Sequence, residues 1–390
     1  RRLRDFYADL HIHLGANLQG GPVKITASPK MTLEAILTTA RGEKGLDMVG
    51  IVDTLSPLVQ EELHQLCRTG LLRELPGGGL RYKNGLTLIL GVELEVEEGA
   101  HIISYFPDLE NLGGFTKRLS SSITNINLST QRAYMTLSDL AAVTTEYGGV
   151  TVPAHAFTPH KGIYGFAVRR LRDLFSSGLP PSLVGLELGL SADTYMADRI
   201  AETAKLTFLS NSDAHSLGKI GREYSILSCQ EASWEELVAV LEGRAGRRVK
   251  ANYGLDPRLG KYHRTSCSAC GYIAREEGPI LSCPGCNSTT VVLGVQDRVD
   301  AIADWSQPRS PAGRPPYHYQ VPLEFVPGLG KKTLARLIEA FGSEIKVLHQ
   351  ASLEDLTGVV GDKLARSILQ AREGTLEIQP GGGGKYGKVL

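Results

Sequence analysis

The chain has 390 residues with 42 basic and 42 acidic side chains, so it carries no formal net charge with histidine neutral. That balance excludes a surface coated in one sign of charge, and an apolar content of 42% excludes wholesale disorder. No apolar run reaches the roughly 18 residues of a membrane span, and the start, Arg1-Arg2-Leu3-Arg4-Asp5-Phe6, lacks an apolar leader, so a cytoplasmic protein of two or three domains is expected.

Residues 6–13 read as a strand in which His11 and His13 alternate with Leu10 and Ile12. Both imidazoles then share one face, where they can grip a single metal ion. Strand-like runs follow at 47–53, 86–96, 101–106, 149–155, 183–188 and 207–212. Helical stretches at 32–41, 136–147, 169–175, 194–204 and 233–242 lie between or after them. Ser233-x-x-Glu236 is a capping box that opens the last helix. Repeated strand–helix units over residues 1–258 predict a mostly parallel sheet closed into a barrel, with a site at the carboxyl ends of its strands.

Metal-binding residue types gather at those ends. His11 and His13 close the first strand and Asp53 the second. Glu93 and Glu95 lie in the third, and His101 opens the fourth after a turn through Glu97-Glu98-Gly99. His155 ends the fifth and Glu187 the sixth, while Asp213 and His215 follow the last. Imidazole and carboxylate donors without thiolate suit zinc, manganese or iron at a hydrolytic site, and magnesium can join with a substrate. Residues 107–134 are rich in Ser, Asn, Gly and Thr and show no clear element. Loops at 22–31 and 158–165 carry Lys24, Lys30, Lys161 and Tyr164 as candidate contacts for a substrate.

Cys267-x-x-Cys270 and Cys283-x-x-Cys286 form a four-cysteine zinc ribbon over residues 259–296. Each knuckle brings two thiolates to one side of a tetrahedral ion, and four thiolates leave no open position, so this zinc is structural. A disulfide reading needs an oxidising compartment. A proline-rich linker is expected at 297–322. An internal repeat at an offset of 30 follows over 323–376: Leu334-Ala335-Arg336 matches Leu364-Ala365-Arg366, and Gly328 matches Gly358. Pro327-Gly328-Leu329-Gly330-Lys331-Lys332 resembles a helix-hairpin-helix motif, and Gly358-Val359-Val360-Gly361 a second copy. Glycine there lets main-chain N–H groups approach a phosphate without reading sequence. Residues 377–390 read as a flexible glycine-rich tail. Seven basic residues between Arg244 and Arg264, Arg247 and Arg248 among them, face one acid, Asp256, and make a candidate DNA-backbone segment.

The ordered motifs Asp9-Leu-His11-Ile-His13, Ile51-Val-Asp53, Gly91-Val-Glu93, His101, Pro153-Ala-His155 and Ser212-Asp213-Ala-His215 resemble the polymerase and histidinol phosphatase (PHP) superfamily. The resemblance implies a distorted (β/α)7 barrel that binds two or three divalent metals and hydrolyses phosphoesters. It implies that His11, His13, Glu93 and Asp213 hold one ion and that Glu93 bridges to a second held by His101 and His155. His215 with Asp53 would serve a third, where Thr54 departs from the family pattern. With the ribbon and the paired hairpins the whole chain resembles the endonuclease Q family, including Val23-Lys24-Ile25-Thr26-Ala27-Ser28. That implies a monomeric, nucleoid-associated DNA repair enzyme that nicks duplex DNA 5′ to deaminated bases (uracil, hypoxanthine, xanthine) or abasic sites. Glu187, His160 and Tyr164 are the candidates for its base pocket. A histidinol-phosphate-type phosphatase and a non-catalytic DNA-binding scaffold are the alternatives.

Overall fold

Alternation, capping residues and one forced glycine account for the framework of the site. In a computed structural model, which describes residues 2–278 and 280–390, the chain divides into two units. Arg1 and Pro279, the latter inside the spacer between the cysteine pairs, lie outside the described residues. The first unit comprises the chain up to Ala154, Arg172–Glu187 and Leu206–Asn252. The second comprises His155–Leu171, Leu188–Lys205 and Tyr253–Leu390. The last segment of the first unit ends at Asn252, and two inner segments of residues 1–258 fall in the second unit.

The first unit is built on β1 (Arg4–Ile12), β2 (Met48–Ile51), β3 (Leu72–Glu74), β4 (Leu80–Tyr82), β5 (Thr87–Glu95), β6 (His101–Phe106), β7 (Val150–Pro153), β8 (Gly185–Glu187), β9 (Thr207–Leu209) and β10 (Tyr224–Cys229). Seven of these close a ring, and they are the seven read from the sequence. β1, β2 and β5 run parallel. β5 turns into β6 through Val96–Ala100, with Gly99 at φ +87 and the Val96 N–H on Ala100 O at 3.0 Å, so this junction is antiparallel, as is β6 with β7. A turn this short leaves no room for the crossover a parallel neighbour needs, which is what distorts the barrel. The Thr151 N–H donates to Ser182 O at 2.7 Å and leads to β8, which pairs in parallel with β9. The His13 N–H on Ala214 O at 2.9 Å closes the ring back onto β1. Outside it, β10 lies antiparallel to β1, and the β3–β4 hairpin extends β5.

Inside the ring, Ala8, Leu10, Met48, Ile89, Ile103 and Val152 belong to one buried core cluster. Gly50 is required by it, because a Cβ there would lie 2.5 Å from Leu10 O. The outer helices α1 (Leu33–Gly42), α2 (Pro57–Arg68), α3 (Leu109–Leu119) and α4 (Leu137–Glu146) each begin at a capping side chain: Thr32, Ser56, Asp108 and Thr136. α3 falls where no element was expected. Its Gly113-Gly114 pair hid the helical pattern, and Gly114 is small because the Tyr147 ring lies 2.5 Å from where its Cβ would be. The helix at 233–242 forms as Trp234–Leu241 with Ser233 as cap, whereas those at 169–175 and 194–204 break into short turns.

In the second unit the helices Lys331–Phe341, Glu344–His349, Leu353–Val360 and Asp362–Glu373 enclose Leu323, Val326, Leu337, Val347, Leu356 and Ile368. The expected linker holds a helix, Val295–Ile302, ahead of its prolines. The glycine-rich tail is not loose. Ile378–Gln379 pairs with Lys388–Val389, and the Gly381 and Gly387 N–H groups donate to Arg258 O and Leu259 O at 2.7 and 2.9 Å. A Cβ on Gly381 would lie 2.6 Å from Gly260 O, so the glycines serve close main-chain packing.

Burial, with the Arg372 guanidinium and His318 nearby, pushes His349 down to about 4. It is neutral when folded but takes a proton near its ordinary value of 6.5 when unfolded, so stability falls as pH drops from about 6.5 toward 4. Thermal melts should show parent protein losing about 2 kcal/mol more than His349→Gln between neutrality and about pH 5. Equal losses would remove His349 as the cause.

Candidate metal centre

The end of β1 carries the first pair of ligands, and each is held from behind by a carboxylate. Both oxygens of Glu187 lie on His11 Nδ1, at 2.8 and 2.9 Å, and the Asn211 amide donates to Glu187 at 2.8 Å. Asp53 lies 3.0 Å from His13 Nδ1 and also accepts from the Leu14 N–H and the Ser129 hydroxyl. An ionised carboxylate only accepts, so both Nδ1 atoms are assigned the proton and both Nε2 atoms turn a lone pair inward.

Those two Nε2 atoms are 3.1 Å apart. Asp213 Oδ1 lies 3.1 and 3.0 Å from them, and Glu93 Oε2 lies 3.1 Å from His11 Nε2. Four acceptors crowd one point. A tetrahedron with arms of about 2.1 Å has edges of about 3.4 Å, close to these separations, so the residues fit a divalent cation. Electrostatics show a cage built for positive charge: burial opposes a charge on His11, yet Glu187, Asp213 and Glu93 outweigh it and raise its pKa well above the ordinary value, so without an ion the cage draws in a proton that a cation would displace. Burial likewise opposes ionisation of Asp213, yet His11 and His13 keep it well below its own. Asp9 acts on the main chain, accepting from the Ser212 and Gly221 N–H groups at 3.0 and 2.9 Å, and burial raises it to about 6.

Glu93 also reaches a second position. His101 Nδ1 lies 3.7 Å from Glu93 Oε1, because the hairpin sets His101 opposite Glu95 on the neighbouring strand. The Ala154 N–H donates to His101 O at 3.0 Å, and the next residue is His155, the first of the second unit. His155 and Asp213 both hold φ above zero (30° and 50°), uncommon for side chains of this kind and concentrated at functional sites.

Several expectations change. Asp53, expected beside a third ion, accepts from His13, Leu14 and Ser129. Thr54, where the family pattern has histidine, turns its hydroxyl to Gly91 O at 2.7 Å. His215 instead joins His13 and Asp213: its Nδ1 donates to Asp213 O at 2.8 Å, and its ring lies 4.3 Å from that of His13. Glu187 leaves the base-pocket list because it is buried on His11. Tyr164 leaves it too, being fully buried with its hydroxyl on Glu202 at 2.7 Å. His160 remains exposed, edge-on to Tyr262.

The basic segment is largely paired. Arg244 meets Glu242, Arg247 meets Glu236, Lys250 meets Asp5 and Arg258 meets Asp256, while Arg248 is exposed. Gly328, Gly330, Lys331, Lys332, Gly358 and Gly361 are all exposed, and a Cβ on any of those four glycines would meet nothing; Gly328 and Gly330 precede the helix that Lys331 and Lys332 open and Gly361 precedes the next, whereas Gly358 lies within the helix Leu353–Val360. Cys267, Cys270, Cys283 and Cys286 converge as a four-thiol cluster. Residues the sequence did not flag, Ser129, Thr130 and Asn211, supply polar support; the first two come from a loop whose only signal was polarity, and Asn211 lies just past the end of β9.

Comparison with known proteins fits this geometry. A PHP-associated family model matches residues 193–245. The Bacillus subtilis protein YqxK, itself uncharacterised, is 45% identical over 99% of this chain and 100% of its own. The crystal structure of the lesion-specific endonuclease PfuEndoQ from Pyrococcus furiosus superposes with a TM-score of 0.85 at 33% identity, covering 99% of this chain and 95% of that one. A complex of endonuclease Q with a 27-mer duplex bearing an abasic lesion at its active site gives 0.84 at 34% identity, covering 99% and 96%. The chain belongs to the endonuclease Q family. In this member the rear carboxylates are part of the centre. Glu187→Gln should weaken metal affinity about 10- to 100-fold, because a carboxylate bonded to the far nitrogen of a ligand imidazole orients the ring and raises its basicity. Metal titration of dialysed protein checks this, and unchanged affinity would reduce Glu187 to packing.

Proposed function

We propose that this endonuclease Q family member is a DNA repair enzyme that hydrolyses the phosphodiester 5′ to an abasic site or a deaminated base, uracil, hypoxanthine or xanthine, in duplex DNA. The reading rests on one observation: the four-acceptor cage at the end of β1 sits in a chain that aligns end to end with lesion-specific endonucleases. His11, His13, Glu93 and Asp213 hold one divalent ion, with His215 beside Asp213. Glu93 extends to a second ion with His101 and His155. When bound, divalent ions (zinc, with manganese, iron or magnesium as further candidates) would supply Lewis-acid chemistry, making water a better nucleophile and offsetting charge on the attacking and leaving oxygens. Glu187 and Asp53 take the Nδ1 protons, so that each Nε2 is the nitrogen turned to the cage. The cysteine cluster holds one structural zinc. The hairpin glycines with Lys331 and Lys332 grip the DNA backbone, while lesion choice comes from the ease with which a weakly paired base leaves the stack. The enzyme acts as a cytoplasmic monomer on nucleoid DNA.

A nicking assay on duplexes that differ in one residue, with each metal and with a chelator, tests this. Abasic and deaminated duplexes should be cut on the 5′ side and the undamaged duplex spared. Equal cutting of all, or none with any metal, would overturn it.

A further inference from the structure

Loop 22–31 is fastened to the end of the metal-binding strand by its main chain. The Val23 N–H donates to Gly15 O at 3.0 Å, the Lys24 N–H to Leu14 O at 2.8 Å, and the Ser28 N–H to His215 O at 2.8 Å. A Cβ on Gly15 would lie 1.9 Å from Ser28 O, so the two segments meet main chain to main chain. Lys24 is thereby set beside the centre, and its side chain turns toward it. The Lys24 ammonium donates to Thr130 Oγ1 at 2.7 Å, and Thr130 Oγ1 lies 3.1 Å from Glu93 Oε1. An ammonium only donates, so the hydroxyl accepts from it and spends its single proton on Glu93. Laid end to end, these two bonds keep Lys24 Nζ within about 6 Å of the carboxylate that faces both metal positions. Thr130 holds φ +52 to present that hydroxyl, a conformation seldom kept by a β-branched residue.

We infer that Lys24 is a catalytic residue: its ammonium binds a non-bridging oxygen of the scissile phosphate and holds the negative charge that builds there as water adds. This rests on the phosphodiesterase reading of the centre. In that step the water oxygen bonds to phosphorus as the bond to the leaving sugar oxygen breaks. One water proton ends on the sugar oxygen and the other on the phosphate, and Lys24 keeps its protons throughout. Three features distinguish this ammonium from those scattered over the surface. It is part-buried, its main chain is bonded to β1, and its hydroxyl partner touches the bridging ligand. A point charge so fixed meets a phosphate with little left to reorganise, and removing one such preorganised donor costs roughly 10²- to 10³-fold in rate.

The experiment uses the full-length protein with its metals retained and three variants, Lys24→Met, Lys24→Arg and Thr130→Val. Metal content, single-turnover cleavage of an abasic-site duplex and calorimetric binding of inorganic phosphate are measured for each. Lys24→Met should keep its metal, cut roughly 100-fold more slowly and bind phosphate about 10-fold more weakly. Lys24→Arg should recover part of both losses, and Thr130→Val should lose less phosphate affinity than Lys24→Met. Phosphate affinity unchanged in Lys24→Met, or metal lost in step with activity, would overturn the inference. If the parent cut no duplex, the repair reading would fall, and the phosphate measurement alone would decide for or against Lys24.

Discussion

Asp213→Asn lowers nicking of a lesion duplex by a factor of about 10³ or more, a barrier increase of roughly 4 kcal/mol. One atom carries this expectation: Asp213 Oδ1 stands 3.1 Å from His11 Nε2 and 3.0 Å from His13 Nε2. An amide in that place either keeps its oxygen there without the charge or turns an N–H₂ group into the cage. Both outcomes weaken the hold on a divalent ion, and the fixed backbone at φ +50 gives the side chain little freedom to adjust. Duplex affinity should stay within about twofold, because most protein–DNA hydrogen bonds go to the sugar–phosphate backbone and the substituted atom faces inward. Nicking rates, a duplex binding isotherm and metal content by mass spectrometry check this together. Full activity with full metal content would mean that the centre lies elsewhere.

Cys283→Ser removes one zinc per chain and unfolds the ribbon. The four sulfurs are arranged for one ion: Cys267 Sγ lies 3.7 Å from Cys286 Sγ, and Cys270 Sγ lies 3.6 Å from Cys283 Sγ. A tetrahedron with arms of about 2.3 Å has edges of about 3.8 Å. The Cys270 main-chain N–H, foremost among its surroundings, draws the Cys267 thiol down to about 7, toward the thiolate a metal needs. Cys283 is 1% exposed, so the serine hydroxyl is buried where a thiolate belonged. Structural zinc contributes roughly 10–16 kcal/mol of apparent binding energy in small modules, so its loss should remove the ribbon's order and lower duplex affinity about 10-fold. Zinc stoichiometry and the melting profile read this directly. An unchanged zinc count would refute the assignment, and a lost zinc with duplex binding intact would make the ribbon dispensable for DNA.

The seven ring strands, the cysteine cluster and the gathered His and acidic side chains were legible in the sequence because each has a local period or spacing. The antiparallel junctions were partly legible, since Glu97-Glu98-Gly99 marks the turn into β6. Roles that depend on approach from distant loops were not. Asp53 ends its strand as a ligand would, and only the Leu14 N–H and the Ser129 hydroxyl reveal it as a brace for His13. Asn211 and His11 close around Glu187 in the same way. Charge counting overstated the basic segment, because partners such as Asp5 and Glu236 lie outside its window. Glycines misled twice, in α3 and in the tail, where they mark close packing of a ring or a main chain rather than looseness.

The division of the chain has a practical consequence for taking it apart. His155–Leu171 and Leu188–Lys205 leave the first unit and return, and within the second they are tied to residues more than a hundred positions on. Arg298 Nε donates to Tyr164 O at 2.9 Å, Arg199 pairs with Asp300 at 2.7 Å, and the Tyr319 hydroxyl reaches Asp193 at 2.6 Å. A cut after Asn252 would not release two halves: the amino-terminal piece would keep two excursions stripped of their neighbours, and the carboxyl-terminal piece would lack part of its own body. The two units are thus interleaved along a single chain, and exchanging either with a relative requires three segments to be grafted at once.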